Sequence, residues 1–519
     1  MTHLEWPDYV TIAVYFLITA AIGFSVSRRK TTSEDLFLAG RSLGPAAVGF
    51  SLFASNISSD TLVGLPGAAY QTGISAANYE WMAGLVLIFA VFLVLPALMR
   101  SKAQTMPELM GARFDRRMRL YLSAITLFLS IVLDTAGTLY AGSLITTTFL
   151  PHLNMTEVCY AIALFAAVYT AAGGLRAVVY TDFMQAIVLL FGSGCLAYIV
   201  FGKFDFSWAK VTAEIPGDKL SLIRPIDDPG VPWLGLVTGL PIVGFYYWTM
   251  NQYVIQRVFG ARDLRTAGRA SLIAATLKLL PLFLMVLPGA MAIKLLPDLE
   301  HADQVFPRMV AEFTPTGLTG LIVAGIIAAL MSTCSSTLNS AATLITLDFV
   351  QPHKPQWSSE KLAWFGRITT IVVALIAATW APMIQHFSGL WAYLQQIFAF
   401  VASPLVAVFL YGLLSTRLGS RAAFRGLVSG HVFSALLFVP FLKDWVPIHF
   451  TIVGGVIFAA TVLLTAMWAW ILGDADRPAP GDAHIAVFAR QGLERITADV
   501  KIGAFVIIVV IAVILYLFR

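Results

Sequence analysis

Six polar side chains interrupt runs that are otherwise apolar. They are Asp60 in LFASNISSDTLVGLPG, Glu80 in NYEW, Asp134 in VLDTAG, Asp182 in VVYTDFMQA, Lys278 in TLKLLP and Gln395 in YLQQI. An ionisable side chain at the centre of a membrane helix costs roughly 2.5–3.5 kcal/mol on insertion scales, so such groups face the bundle interior or water. Together they point to a shared polar cavity, unless Asp60 and Asp182 lie near helix ends and snorkel to the surface. Glu80 and Lys278 carry opposite charges, and a direct or water-bridged pair would make both tolerable. A second group of residues lies in GIIAALMSTCSSTLNSAATLITLDF. Ala329, Ser332 and Thr333 stand at i, i+3 and i+4 and share one helix face, and Ser332, Ser335 and Ser336 repeat the spacing on a rotated face. Hydroxyls together with freed carbonyls are hard oxygen ligands for a hard cation. The same small residues also suit close helix packing.

The elements that must position these residues are membrane helices. Of 519 residues, 58% are hydrophobic and 12% charged, about half the charged share of an ordinary soluble domain. The chain therefore reads as an all-α, polytopic membrane protein. Apolar runs of about 20 residues, enough to cross the hydrocarbon as a helix, predict fourteen spans. They lie near 8–27, 45–70, 78–99, 120–147, 156–173, 179–201, 231–256, 270–296, 317–347, 368–386, 389–414, 424–441, 450–472 and 502–518.

Most of the 34 Lys and Arg residues fall in alternate connections. That set includes Arg28, Arg29, Lys30, Arg41, Lys102, Arg257, Arg262, Arg477, Arg490 and Arg495. By the positive-inside rule these connections are cytoplasmic and both termini face out. Cys159, Cys195 and Cys334 all sit in apolar segments, so no disulfide framework is expected. The start, MTHLEWPDY, lacks the basic opening of a signal peptide, and the first apolar run reads as a retained span.

Two spans look broken. Around Asn56-Ile57-Ser58-Ser59 the apolar pattern fails, and Ser and Asn side chains compete for backbone hydrogen bonds. In GLPIVGFYYWTMNQY, Gly239, Pro241 and Gly244 precede an aromatic cluster and predict an interruption there. The two breaks are five spans apart, as two inverted repeats of five would place them, and paired broken helices mark a transporter's midplane binding site. The alternative is the ordinary frequency of Gly and Pro in membrane helices.

GGLRAVVYTDFMQ, Gly173 to Gln185, resembles the signature of the sodium/solute symporter family. SLFASNIS with GLPGAAYQTGISAANYEW resembles its sodium/glucose (sodium/galactose) cotransporter branch. So do YYWTMNQYVIQR, LKLLPLFLMVLPG, MSTCSSTLNSAATLITLD and YLQQIFAFVASPLVAVFLYGLL, in order from about Leu43 to Leu414. The resemblance implies a LeuT-like core of five plus five inverted spans within fourteen, and a functional monomer. It divides the chain into a first span with its loop (1–44), a first repeat (45–202), an outer loop (203–230), a second repeat (231–415) and peripheral spans (416–519).

The resemblance also implies site residues. The main sodium site would take the carbonyls of Ala54, Ile57 and Ala329 and the hydroxyls of Ser332 and Thr333, Thr333 standing where Ser is usual. A second sodium would use Asp182, Ser332, Ser335 and Ser336. Asn56, Glu80, Asp134, Lys278 and Gln395 would bind a sugar, their donors and acceptors suiting a polyol. Tyr247, with Trp248 beside it, would gate the site from the inner side. The chain departs from the family pattern at Gly244 and Ala83, where some relatives have polar contacts, at the variable position Thr61, and at Asp134, where relatives have Asn or Lys. These departures bear on which sugar is carried.

The expected function is sodium-coupled symport of a glucose- or galactose-class monosaccharide by alternating access. The alternative within the family is another solute: sialic acid, inositol or an amino acid. A carboxylate substrate would want an Arg, and the one basic residue within a span is Lys278, with Glu80 as partner, so a neutral polyol is favoured. A membrane enzyme is disfavoured because neither H-E-x-x-H nor G-x-S-x-G occurs. A sensor is disfavoured because only Arg519 follows the last span and the stretch Gly473–Lys501, with a surface helix at IAVFARQGLERI, is too short for an output domain. The missing signal peptide fits a bacterial inner membrane and a plasma membrane equally, and the short loops favour the bacterial one.

Overall fold

The computed structural model describes residues 4–27, 42–101, 103, 105–170, 175–443, 445–476, 485–487, 491 and 496–519, and every extended regular element among them is helical. The basic residues Arg28, Arg29, Lys30, Arg41, Lys102, Arg477, Arg490 and Arg495, the first two residues of the signature run and most of IAVFARQGLERI lie outside the described residues. The helices used below, numbered in chain order, begin with α1 (Trp6–Ser27), α2 (Pro45–Asn56), α3 (Ser59–Thr72) and α4 (Asn78–Leu93). Then come α5 (Arg116–Leu129), α6 (Ala136–Phe149), α7 (Met155–Thr170), α8 (Leu175–Gly202), α9 (Gly239–Phe245) and α10 (Gln252–Phe259). The rest are α11 (Leu264–Leu277), α12 (Leu287–Leu295), α13 (Leu318–Leu344), α14 (Ser359–Trp380), α15 (Leu390–Leu414), α16 (Ser420–Leu442), α17 (Phe450–Leu472) and α18 (Ala498–Leu517).

Among the described residues, ten helical stretches are long and apolar enough to cross a membrane, and two shorter apolar helices lie at Trp6–Ile18 and Met155–Val168. The molecule is thus an integral, multi-pass membrane protein. The two segments expected to be broken, 45–72 and 239–259, are each divided between two helices. Burial sorts the long helices. The apolar window of α15 is 72% buried within the protein and that of α18 only 28%. Side chains such as Ile502 and Phe505 point outward from α18, as lipid-facing residues do.

The polar residues lie where the long helices meet. α11 packs on α2 and α4, α8 on α2 and α13, and α13 touches both α2 and α3. Small residues set the closest approaches. A Cβ on Gly426 or Gly430 of α16 would stand 2.2 or 2.4 Å from Thr465 or Thr461 of α17, so only glycine lets these backbones meet. Asp8 of α1 accepts the backbone N–H of Gly317 and Gly320, each at 2.7 Å, and so anchors the first turn of α13.

The break in the second span falls where the sequence placed it. The Ile57 N–H closes on Phe53 O (2.9 Å), and the next backbone bond is Leu62 N–H to Ser58 O (3.1 Å). Ile57 (φ −85°, ψ 76°) and Ser58 (φ −98°, ψ −175°) leave helical geometry between them. The seventh span is interrupted twice. A helix at Trp233–Val237 ends at Thr238 (φ −109°, ψ −84°), directly before Gly239, and Gly239, Pro241 and Gly244 then lie inside α9. A second break comes at Asn251 (φ −68°, ψ 120°), after a π-helical turn at Tyr246–Met250 whose widened bond joins Asn251 N–H to Tyr246 O at 2.9 Å. Gly239 also serves packing, since a Cβ there would lie 1.8 Å from the Thr451 carbonyl oxygen. A π turn arises from tertiary packing and has no Gly or Pro signature.

Candidate functional site

A partly open pocket lies between α3, α4, α9, α11 and α15. Asn56, Glu80, Asp134, Lys278 and Gln395, the five polar residues expected to bind substrate, all line it. So do Tyr247 and Trp248. Local structure explains the placements. Asn56 is the last residue of α2, where the helix stops and frees polar atoms. Glu80 is in the first turn of α4, Asp134 lies on a π turn between α5 and α6, and Lys278 caps the C-terminus of α11. Helix ends and π turns are sites where polar groups gather and backbone bonding is incomplete.

Lys278 and Glu80 are in direct contact, and both are buried. The Lys278 ammonium also stands 5.5 Å from the centre of the Trp248 ring and 5.9 Å from that of Phe53. Asp134 Oδ2 is 3.5 Å from the Asn251 side-chain amide at the second break. Tyr247 shares a 2.6 Å hydroxyl–hydroxyl bond with Tyr253 and packs edge-on against Trp248 and Phe398.

Asp60, expected in a shared polar cavity, and Thr61, singled out as a variable position, line it too, while Tyr79 and Trp391 escaped assignment from sequence. Thr61 donates to the Asn56 carbonyl at 2.6 Å, stitching the broken helix. Tyr79 and Trp391 meet edge-to-face at 5.5 Å and also line a second cavity, with Gln71, Asp303 and His449. This aromatic pair separates the two cavities. Its signal in the sequence was present, since Tyr79 precedes Glu80 and Trp391 lies four residues before Gln395, one helical turn away.

The residues expected at the main sodium site come from the first break and from α13. The backbone ladder skips the carbonyls between its last bond in α2 and its first in α3, Ala54 and Ile57 among them. α13 carries Ala329, Ser332 and Thr333 on one face and packs on both halves of the broken span. Oxygens outside the ladder beside two hydroxyls are the donor type a sodium ion takes.

Of the residues expected at a second sodium site, Asp182 and Ser332 meet, with Ser332 Oγ donating to Asp182 Oδ1 at 2.5 Å. Ser335 and Ser336 are buried on the same helix. The Asp182 carboxylate already has a cation. Arg257 Nη2 reaches Oδ2 at 3.1 Å, Ser51 Oγ donates to the same oxygen at 2.8 Å, and Arg257 Nε donates to Ser51 Oγ at 3.0 Å. Both charged side chains are 1% exposed. Arg257, expected in a cytoplasmic connection, is therefore a core residue inside α10. Its seventh span extends further than hydropathy alone suggests, because a buried carboxylate stabilises the guanidinium there.

A family model described as sodium:solute symporter family matches residues 36–430. The chain belongs to this family. Relatives include sodium/myo-inositol cotransporter 2 of Oryctolagus cuniculus, 33% identical over 82% of this chain and 69% of the relative. The sodium/glucose cotransporter of Vibrio parahaemolyticus is 32% identical over 91% of this chain and 92% of the relative. A sodium/mannose cotransporter of Bos taurus is 33% identical over 82% and 78%. Among solved structures, the symporter shares its fold with a sodium-coupled sialic acid symporter in a substrate-bound outward-open state. The TM-score is 0.76 at 21% identity, over 92% of this chain and all of that one. A nucleobase-cation-symport-1 family transporter in a closed conformation matches at a TM-score of 0.56 and 16% identity, over 89% and 99%. The symporter is accordingly a sodium-coupled transporter and not an enzyme.

Proposed function

We propose that the symporter moves a monosaccharide of the glucose and galactose class inward, driven by sodium. What supports this reading above all is the convergence in one pocket of Asn56, Glu80, Asp134, Lys278 and Gln395 against the Tyr247 and Trp248 rings. Polar groups around a small apolar wall match a polyol with hydroxyl edges and an apolar C–H face. The named relatives carry glucose, mannose or myo-inositol. Sialic acid is the less favoured reading, because the cavity's cation, Lys278, is already paired with Glu80.

Sodium would bind at the carbonyls of Ala54, Ile57 and Ala329 and the hydroxyls of Ser332 and Thr333. Asn56 belongs to the same broken segment, so sodium and sugar would strengthen each other's binding, and the linkage is reciprocal. Closure of the Tyr79–Trp391 pair outside and displacement of Tyr247 inside would alternate access. In this reading the two broken segments and the two shorter helices also cross the bilayer. That gives fourteen spans around two inverted repeats of five (45–202 and 231–415), both termini outside, in a monomer of a bacterial inner membrane.

The test is uptake into proteoliposomes of labelled glucose, galactose, mannose, inositol, sialic acid and proline, with and without an inward sodium gradient. Sodium-driven accumulation of a hexose is the expected result. Accumulation of proline or sialic acid alone would overturn the sugar assignment.

A further inference from the structure

The charges of the substrate cavity do not balance. Its wall carries three carboxyl groups, Asp60, Glu80 and Asp134, against one cation, Lys278. Lys278 is engaged with Glu80, and the buried Arg257 of the core is engaged with Asp182. Asp60 Oδ1 is shut away from solvent without a hydrogen-bond partner. Asp134 has one hydrogen bond among the described residues, the long 3.5 Å contact from Asn251. Two carboxyl groups thus face the same space, with Lys278, already engaged by Glu80, the one lining cation for all three.

Other groups in the cavity also lack partners. The indole N–H of Trp391, on a side chain 8% exposed, has none, and neither has Asn56 Oδ1. The site is therefore short of a ligand that supplies both a positive charge and hydroxyls. A neutral sugar can donate hydrogen bonds to a carboxylate but leaves its charge uncompensated in a low-dielectric space. An ammonium group supplies the charge and up to three donors, and such charge-assisted bonds are the stronger kind.

We propose that the transported polyol carries a cationic amine, as an amino sugar or amino polyol does, with its ammonium received by Asp60 and Asp134. Its hydroxyls are read by Asn56, Gln395, the Trp391 N–H and the Glu80–Lys278 pair. This inference rests on the reading of the cavity as the substrate site. It keeps the sodium-coupled polyol of that reading and replaces the neutral polyol favoured from sequence with a cationic one.

The test compares initial uptake of labelled D-glucosamine, D-glucose and N-acetyl-D-glucosamine by the full-length symporter in proteoliposomes. The assays use an inward sodium gradient at mildly acidic pH, where the free amine is protonated. Wild type, Asp134→Asn and Asp60→Asn are measured in parallel. We expect glucosamine to exceed both neutral sugars by at least about tenfold in kcat/KM, and each Asn variant to collapse that ratio. A ratio is the readout because a misfolded variant lowers every sugar alike. Equal transport of the three sugars, or an unchanged ratio in Asp134→Asn, overturns the inference. Sodium-driven preference for glucose also overturns it while leaving sodium–sugar symport standing. So does acid-stimulated glucose uptake that is lost in Asp134→Asn, which would mean that the carboxyl groups take protons instead. No sodium-driven uptake of any of these sugars or of the wider panel overturns the parent reading itself.

Discussion

At the scale of single residues, two buried ion pairs decide what the core tolerates. Glu80 and Lys278 are each stable in the bundle only because the other is there. Lys278→Met strands the Glu80 carboxylate and is expected to lower stability by about 3–5 kcal/mol. The double variant Glu80→Leu/Lys278→Met recovers most of that loss and still fails to transport. Thermal unfolding and sodium-driven uptake of the same preparations check both halves of the expectation. Asp182 and Arg257 are the second pair. With Arg257 in place the carboxylate has its cation, and sodium must compete with a tethered guanidinium. In Arg257→Gln the site is open to the ion, so sodium should raise Tm more in the variant than in wild type, relative to choline. Equal sodium shifts in the two proteins would show that Arg257 does not occupy a sodium position. Glu80 and Lys278 were legible as partners because each was conspicuous in an apolar run. Arg257 was not, because at a span's end a basic residue looks like a topological marker.

At the scale of elements, sodium and substrate meet, in the proposed reading, at the broken second span. Its hydroxyl partners sit on α13, and Ser332→Ala or Thr333→Ala is expected to weaken sodium dependence of uptake by about tenfold or more, each removing one oxygen ligand. A sodium titration of initial rates checks this, and an unchanged half-saturation would place the ion elsewhere. Ser332 is the weaker probe of the two, because it also bonds Asp182.

A different element borders the second cavity beyond the Tyr79–Trp391 pair. Asp303, in the connection between α12 and α13, accepts the Leu390 N–H at the start of α15 (2.9 and 3.1 Å) and the Tyr140 hydroxyl at 3.2 Å. Gln71 of α3 donates to the Ser388 carbonyl beside it at 2.7 Å. Burial pushes the Asp303 carboxyl up to about 6, against the opposing pull of Leu390 N–H, Tyr140 and His301. A carboxyl whose folded pKa is raised contributes most below its unfolded value and loses that contribution as pH rises through the folded one. Wild type should therefore lose stability relative to Asp303→Asn between the ordinary aspartate value and about pH 6, then run parallel to it. At ~1.4 kcal/mol per pKa unit the difference is a few kcal/mol at most. Melting curves of both proteins across that pH range check the sign, and a gap that does not change with pH would refute it.

At the scale of the whole molecule, coupling is a matter of charge crossing the membrane. Each net positive charge carried inward is worth roughly 2.3 kcal/mol per 100 mV, close to fiftyfold in accumulation. A potassium diffusion potential imposed on proteoliposomes should therefore raise the accumulation ratio by that factor per net charge. The slope counts sodium ions for a neutral substrate. A cationic substrate adds one charge per cycle, so comparing glucosamine with glucose separates the two contributions. An accumulation ratio insensitive to voltage would be incompatible with electrogenic symport.

The sequence by itself determined the solvent, the class and most of the inventory. Hydropathy placed the membrane helices because a bilayer demands about 20 apolar residues per crossing. Polar residues stood out because lipid makes them costly: of the six, Asp60, Glu80, Asp134, Lys278 and Gln395 line one cavity, and Asp182 pairs with Arg257 instead. The break at Ile57–Ser58 was legible because Ser and Asn compete locally with the backbone. Only the tertiary structure decided which polar groups pair with one another. It added, beyond the interruption at Thr238 beside Gly239, a further break at Asn251, since a π turn follows packing rather than composition. It gave Arg257 to Asp182, joined Tyr79 to Trp391, and left Asp60 and Asp134 facing one space. Such pairings join residues tens to hundreds of positions apart, and their energies exist only once the helices have met.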